Sequence, residues 1–343
     1  MITDATVGFF FPEGEPSSIH EPDPLFREVK RALLSVDSMC PVAREVRSIR
    51  EADFCVIRER SCYKGPDYPR KLASDPLTGP CLHKIITINT EDGPRGLLRG
   101  LYTSLPRSRH NPHFHRAVPY AVHGEPFPQP SPFKLHLASW RGNVRSNPMR
   151  RRLMALHGRA PGFQLEATES WFNHDEGERE HYTQLMRSSK FSLCPGGWAH
   201  ATNRIYESMA HGVAPVIIAD EFIPPSGPDW EKIALFIPLS RLKCLPTLLE
   251  EELGKADAMG KSARVAWSEF FSPEAIPAYY ASQIIDLALR PHFLPNSEAE
   301  LRRMNAIATR WKNGWTLPQR VVSRMRRLYS QQLHGASMQR INS

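Results

Sequence analysis

The stretch Lys190–Trp230, KFSLCPGGWAHATNRIYESMAHGVAPVIIADEFIPPSGPDW, constrains this chain more than any other part of it. Phe191–Cys194 is short and apolar like a strand end, and Pro195-Gly196-Gly197 interrupts it. Thr202 or Asn203 stands where a helix cap is wanted, and the helix that follows is expected to run to about His211. Gly212 suits the left-handed position beyond a helix end. Val213–Ile218 is a β-branched run without charge, the pattern of a parallel strand buried on both faces. Together these predict a β-loop-α-β unit.

Such a unit brings its own chemistry. A glycine-rich turn leading into a helix leaves backbone N–H groups unpaired at the positive end of the helix dipole, a setting that favours phosphate. Pro195, Gly196, Gly197, Thr202 and Asn203 are therefore expected to line a phosphate cradle. Arg204 falls in the first helical turn, where it can add a charge-assisted bond to a diphosphate. Glu207, three residues on, shares its face and can grip ribose hydroxyls. Spacing alone leaves a second reading open, an exposed i,i+3 ion pair worth roughly a few tenths of a kcal/mol.

The run FSLCPGGW…RIYESMAHGVAPVIIADEFIPPSGPDW resembles the core of the exostosin-like glycosyltransferases (GT47-type), which show a CPRG-type turn, an Arg and a Glu on a helix, a GxxPVI segment and a DW pair. Here these fall on Cys194-Pro195-Gly196-Gly197, Arg204, Glu207, Gly212, Pro215-Val216-Ile217 and Asp229-Trp230. Trp140-Arg141-Gly142-Asn143 is similar to the FRG element that opens the donor-binding half of that family. One position departs: Gly196 stands where the family usually has Arg.

The resemblance implies an α/β chain of GT-B architecture, two Rossmann-like domains facing across a cleft, with a C-terminal helix crossing back onto the first. It implies an inverting, metal-independent glycosyltransferase with no cofactor beyond its donor substrate, a UDP- or GDP-linked sugar. The acceptor is expected to be a hydroxyl of a polysaccharide or a lipid-linked glycan. Arg141, and beside it Arg145, would then project from a strand's carboxyl end toward the crevice of Gly196 and Gly197, where open α/β sheets hold ligands. The alternative makes these arginines and Arg150–Arg152 a solvated basic helix start, which is the expectation for Arg150–Arg152. Inversion needs a base from the first domain. Glu91 and Asp92, which follow the apolar strand Lys84–Asn89, are the candidates, with His110 and His123 behind them; a turn carboxylate beside Gly93-Pro94 is as readily a structural cap.

At 343 residues the chain exceeds what one core usually supports. Residues 1–125 alternate strand-like and helix-like pieces, at Thr6–Phe11, Pro24–Val36, Phe54–Arg58, Lys84–Asn89 and Pro119–His123, which implies a mainly parallel sheet. The proline-rich GEPFPQPSP places a linker at 126–133. A nucleotide-sugar domain is expected over 134–290, and a basic helical tail over 291–343 that packs partly on the first domain. Lys64–Pro80 and Pro106–Pro119 read as long surface loops, and Arg141–Asn147 as a loop after the strand Lys134–Trp140.

The net charge of +8 would suit nucleic acid, but nine Arg and Lys against two Glu lie beyond residue 290, leaving the preceding residues at +1. A basic tail of this kind reads as a solvated face or a contact with anionic lipid, and no nucleic-acid partner is expected. No apolar run approaches the ~18 residues that would span a bilayer, and the N-terminus lacks a basic segment before its short apolar patch. The expectation is a cytoplasmic protein, peripheral to the membrane through its tail. Six scattered cysteines form no CxxC pair and are expected to be reduced thiols. His110, His113, His115 and His123 are interrupted by proline and lack a nearby carboxylate, so no metal site is expected. Two rival classes remain: a nucleotide-binding or scaffolding protein that has lost transfer, supported by Gly196, and a nucleic-acid-binding protein using the tail.

Overall fold

A computed structural model describes residues 6–35, 42–61, 64–121, 133–169, 176–290 and 294–317. The chain opens with β1 (Thr6–Phe10), α1 (Pro24–Leu34), β2 (Val42–Glu45), β3 (Phe54–Arg58), α2 (Tyr68–Ser74), β4 (Ile85–Asn89), β5 (Gly100–Tyr102) and β6 (His115–Ala117). These strands form one sheet of order β2-β1-β3-β4-β5-β6, every pair parallel. The second half contributes β7 (His136–Asn143), α3 (Pro148–His157), β8 (Phe163–Thr168), α4 (Glu176–Arg187), β9 (Ser189–Pro195), α5 (Asn203–Ala210), β10 (Ala214–Ile218), α6 (Trp230–Ile233) and β11 (Leu235–Phe236). Its sheet, β11-β10-β9-β7-β8, is also wholly parallel. The chain is thus α/β with two Rossmann-like halves, the GT-B architecture.

Local chemistry explains the elements. IITIN of β4 and APVII of β10 are buried at every position, as central parallel strands between helices must be. Asp23 caps α1 through the Phe26 amide at 2.8 Å, and Asn147 caps α3 through the Met149 amide at 2.9 Å; Pro24 and Pro148 then occupy first-turn positions where a missing N–H costs nothing. Gly212 takes φ +64° after α5, as expected of a left-handed helix stop.

The sheet orders fix where ligands can bind. In each sheet the first strand of the half lies between the second and third, so successive crossovers leave it in opposite directions. That reversal opens a crevice at the carboxyl ends, between β1 and β3 in one sheet and between β7 and β9 in the other. The two carboxyl edges meet. Beyond β5, the Arg107 amide donates to the Glu221 carbonyl at 3.0 Å and the Ser108 amide to the Glu221 carboxylate at 2.8 Å, beyond the end of β10.

After β11 come α7 (Leu245–Glu251), α8 (Ala256–Ala266), α9 (Ile276–Ala288), α10 (Ser297–Asn305) and α11 (Ile307–Lys312). The return to the first domain starts before residue 291, because α9 already packs against α1, β5 and β6. α10 packs against α2 and the 3-10 turn Gly79–Lys84, burying Met304 with Leu72, Leu77 and Leu82.

Several expectations are corrected. The sixth strand is His115–Ala117, not Pro119–His123, of which 122 and 123 lie outside the described residues. β7 runs through Arg141 to Asn143, because β8 pairs with it as far as Thr168; only Val144–Ser146 turn away, as a 3-10 segment. Lys64–Pro80 is not a surface loop but holds α2, with Tyr68 and Leu72 in the core. Most of the linker 126–133, His123 and the tail beyond 317 lie outside the described residues.

Candidate functional site

The β7–β9 crevice collects most of the expected residues. The register aligns Ser139 with Ser192, which brings Arg141 and Cys194 level near the carboxyl ends of neighbouring strands, and the Pro195-Gly196-Gly197 turn leads from β9 toward α5. Arg204 is half-buried in the first turn of α5. Its Nε donates to the Tyr182 hydroxyl at 3.2 Å and its Nη2 to the Arg141 carbonyl, and its guanidinium lies 5.0 Å from the Tyr182 ring and 5.7 Å from the Trp140 ring. Glu207, also half-buried, accepts from the same Tyr182 hydroxyl. Arg204 and Glu207 therefore converge on Tyr182 and form no exposed ion pair with each other. Tyr182 itself is held neutral: burial pushes its pKa well up, against the pull of the Arg204 charge.

The amides of the glycine turn behave otherwise than expected. Gly196 N–H donates to the Ile218 carbonyl at 3.3 Å and Gly197 N–H to the Ala199 carbonyl at 2.9 Å. Both amides are used inside the domain, and Pro195 has none, so the turn shapes the site without supplying free donors. The backbone donors left to a ligand are those of the α5 start. Thr202 occupies the cap position, but its side chain makes no capping bond to α5, and Asn203 begins the helix.

The arginines also sort differently. Arg141 pairs with Glu166 and Glu178; Glu166 in turn accepts from His181 at 2.8 Å. Burial works against the Glu166 charge, yet its bonds from His181, Gln164 and Arg141 hold that carboxyl below its usual range. Arg141 thus orders the rim of the crevice. Arg145 is exposed.

Arg150, expected in solvent with Arg151 and Arg152, is instead half-buried. Its Nε donates to the Gly196 carbonyl at 3.1 Å, Nη2 to the Pro195 carbonyl at 3.1 Å and Nη1 to the Asn143 carbonyl at 3.2 Å. Asn147 adds a bond to the Gly197 carbonyl at 3.0 Å. The departure at Gly196 thus coincides with a guanidinium from another helix on the same turn. Composition hid this residue inside an arginine triplet, and only the 45- and 46-residue contacts separate it from its neighbours.

On the first domain, Glu91 and Asp92 follow β4 as expected but differ in state. Glu91 is paired with Lys64, whose side chain is 2% exposed and which also reaches Glu59 at 3.4 Å. Glu59 further accepts from Tyr68 at 2.6 Å and Asn89 at 2.7 Å. Asp92 is exposed and accepts from the Tyr120 hydroxyl at 2.9 Å. His110 and His115 stack edge to face at 5.7 Å, and burial pushes His110 down to about 4. Both rings are packing groups. Among the described residues no group of three or more His, Cys, Asp or Glu is placed to hold a metal ion.

A cavity of about 10 Å³ lined by Ser139, Trp140, Arg141, Tyr182 and Arg204 is too small for a nucleotide. A larger one, about 280 Å³, lies between Ser226-Gly227 and Phe270, Tyr279 and Gln283, and none of the expected site residues lines it.

Residues 103–251 match the family model of the Exostosin GT47 domain, a span that holds both the Trp140-Arg141 strand and the whole Lys190–Trp230 unit. That segment is what the chain shares with the exostosin-like proteins. The probable glucuronosyltransferase GUT1 of Oryza sativa subsp. japonica is 31% identical over 119 residues, covering 32% of this chain and 28% of that protein. The probable beta-1,4-xylosyltransferase IRX10 of Arabidopsis thaliana is 37% identical over 70 residues, covering 20% and 17%. The chain spans less than a third of the length of these relatives. Among solved structures, TarM aligns with TM-score 0.40 and 10% identity over 69% of this chain and 54% of its own.

Proposed function

We propose that the chain is a glycosyltransferase that moves a sugar from a nucleotide diphosphate donor, UDP- or GDP-linked, to a hydroxyl of a glycan acceptor lying between the domains. The observation that carries this reading is the convergence of Arg204 and Glu207 on Tyr182 at the β7–β9 switch point, within the matched domain. The donor diphosphate lies over the start of α5, where the helix dipole and Arg204 stabilise negative charge, and Glu207 orients the ribose. The names of GUT1 and IRX10, each called a probable transferase of one sugar, support the reaction class.

Transfer with inversion is a single displacement. The acceptor oxygen attacks the anomeric carbon, the bond from that carbon to the phosphate oxygen breaks, and the diphosphate leaves with the electron pair. Charge grows on that leaving group, and fixed donors there lower the barrier without a resident metal. The acceptor proton passes to a carboxylate on the first domain, and Asp92 is the one with an open face. A lipid-linked acceptor fits the same scheme, with the basic tail against an anionic membrane on the cytoplasmic side. Removing residues 318–343, which leaves α10 and α11 in place, then weakens co-sedimentation with anionic liposomes; equal binding by both forms counts against the tail.

Calorimetry with UDP and GDP tests the donor site. Arg204→Ala and Glu207→Ala each weaken nucleotide binding about tenfold or more, since each removes a charge-assisted bond; unchanged affinity in both refutes the assignment. A scaffolding reading is favoured by one observation, Gly196 in place of arginine. Slow release of free nucleoside diphosphate from a panel of nucleotide sugars, followed by mass spectrometry, separates an enzyme from a scaffold.

A further inference from the structure

Two guanidinium groups lie beside one indole. The Arg150 and Arg204 groups are each 5.7 Å from the buried Trp140 ring, and each is anchored by neutral acceptors only: Arg150 on three carbonyls, Arg204 on a carbonyl and the Tyr182 hydroxyl. No ion pair neutralises either among the described residues. The cluster differs in this from Arg141 on the same crevice, which faces two carboxylates.

Desolvated like charges are costly to keep unless an anion completes them. The cost is visible at Arg150, where burial, with the Arg204 charge adding to it, brings the pKa down to about 10. Carbonyl bonds explain how Arg150 is held but not why a cation is held there beside another. A guanidinium has five N–H donors, and three are spent on carbonyls, so two remain for a ligand. The turn is shaped around this group as well: a Cβ on Gly197 would lie 2.8 Å from the Arg150 Nη2. Any side chain at 197 therefore disturbs the arginine.

We propose that Arg150 is the second cation of the diphosphate site, paired with Arg204 and seated by the carbonyls of Asn143, Pro195 and Gly196. This rests on the donor reading above and adds to it a division of labour between the two guanidinium groups: two cations suit two phosphates, and a monophosphate needs only one.

The test is calorimetric titration of the full chain with UDP, UMP, GDP and GMP. Wild type prefers one diphosphate over its monophosphate by about tenfold or more. Arg150→Gln abolishes that preference while monophosphate affinity stays within about twofold, and Arg150→Lys, which keeps the charge but not the fork, retains part of it. Equal weakening of both nucleotides overturns the proposal, because it marks Arg150 as a prop for the turn alone; an undiminished diphosphate preference overturns it too. Should Arg150→Gln fail to fold, Arg150→Lys carries the same comparison, with a preference reduced about threefold expected and an unchanged one overturning the assignment. A wild type that binds none of the four nucleotides refutes the donor reading itself and this proposal with it.

Discussion

Two adjacent carboxylates on one turn, Glu91 and Asp92, show how far neighbours in sequence can differ in chemistry. Glu91 shares the buried Lys64 ammonium with Glu59. Asp92 meets solvent and the Tyr120 hydroxyl, the open face that the proposed base requires. Asp92→Asn is expected to lower turnover by about 10²–10⁴ while stability changes by less than about 0.5 kcal/mol. Lys64→Met should instead cost about 3–5 kcal/mol in urea unfolding, because it leaves the buried Glu59 and the half-buried Glu91 without their cation. Normal turnover in Asp92→Asn removes that residue as the base. The sequence shows both carboxylates after a strand, but the partner that separates them lies 27 positions away at Lys64, beyond the reach of local pattern. Arg150 is the same case on the other domain.

At the scale of elements, long and strongly patterned segments were legible and short ones were not. β4, β9, α5 and β10 follow from β-branched runs, a glycine stop and a 3.6-residue apolar period. β5 and β6 are three residues each, too short for any period, and exist because β4 offers an edge on which they stack. β7 extends over polar Arg141 and Asn143 for the same reason, with β8 pairing along its whole end. Tertiary pairing, not propensity, decides such strands. A packing contact between elements gives a direct test. α8 lies against the α5–β10 corner at Gly260, where a Cβ would run into the Gly212 carbonyl, a backbone atom that cannot step aside. Gly260→Ala is therefore expected to destabilise by about 1–3 kcal/mol despite its better helix propensity. A stabilised variant in thermal unfolding would show that α8 is free to move off the corner.

Over the whole molecule, the two domains are joined at the cleft and again behind it. Glu221 meets Arg107 and Ser108 at the cleft, while the Tyr280 hydroxyl of α9 donates to the Pro119 carbonyl at 2.7 Å and Asp286 pairs with Arg116 at 2.5 Å. Acid should act on the molecule through two kinds of group, buried histidines and the interdomain carboxylate. Burial pushes His110 in the first domain and His211 in the second from 6.5 down to about 4, and holds His115 well below its usual range. The unfolded chain then binds protons below pH 6.5 that the folded chain refuses, so stability is full above 6.5 and falls as pH drops toward about 4. Each of His110 and His211, fully expressed, contributes on the order of 3 kcal/mol. Glu221 behaves differently: the Ser108 amide, against some burial, holds its carboxyl below 4.5, so its contribution is intact above 4.5 and lost only as pH falls through the lower folded value. Urea midpoints measured in half-unit steps should decline from pH 7 to 4, with His110→Asn flattening that slope and Glu221→Gln altering only the portion below 4.5. A midpoint flat between pH 7 and 4.5 would mean that the histidines gain partners or water in solution, and the neutral, buried packing of the His110–His115 pair would have to be given up.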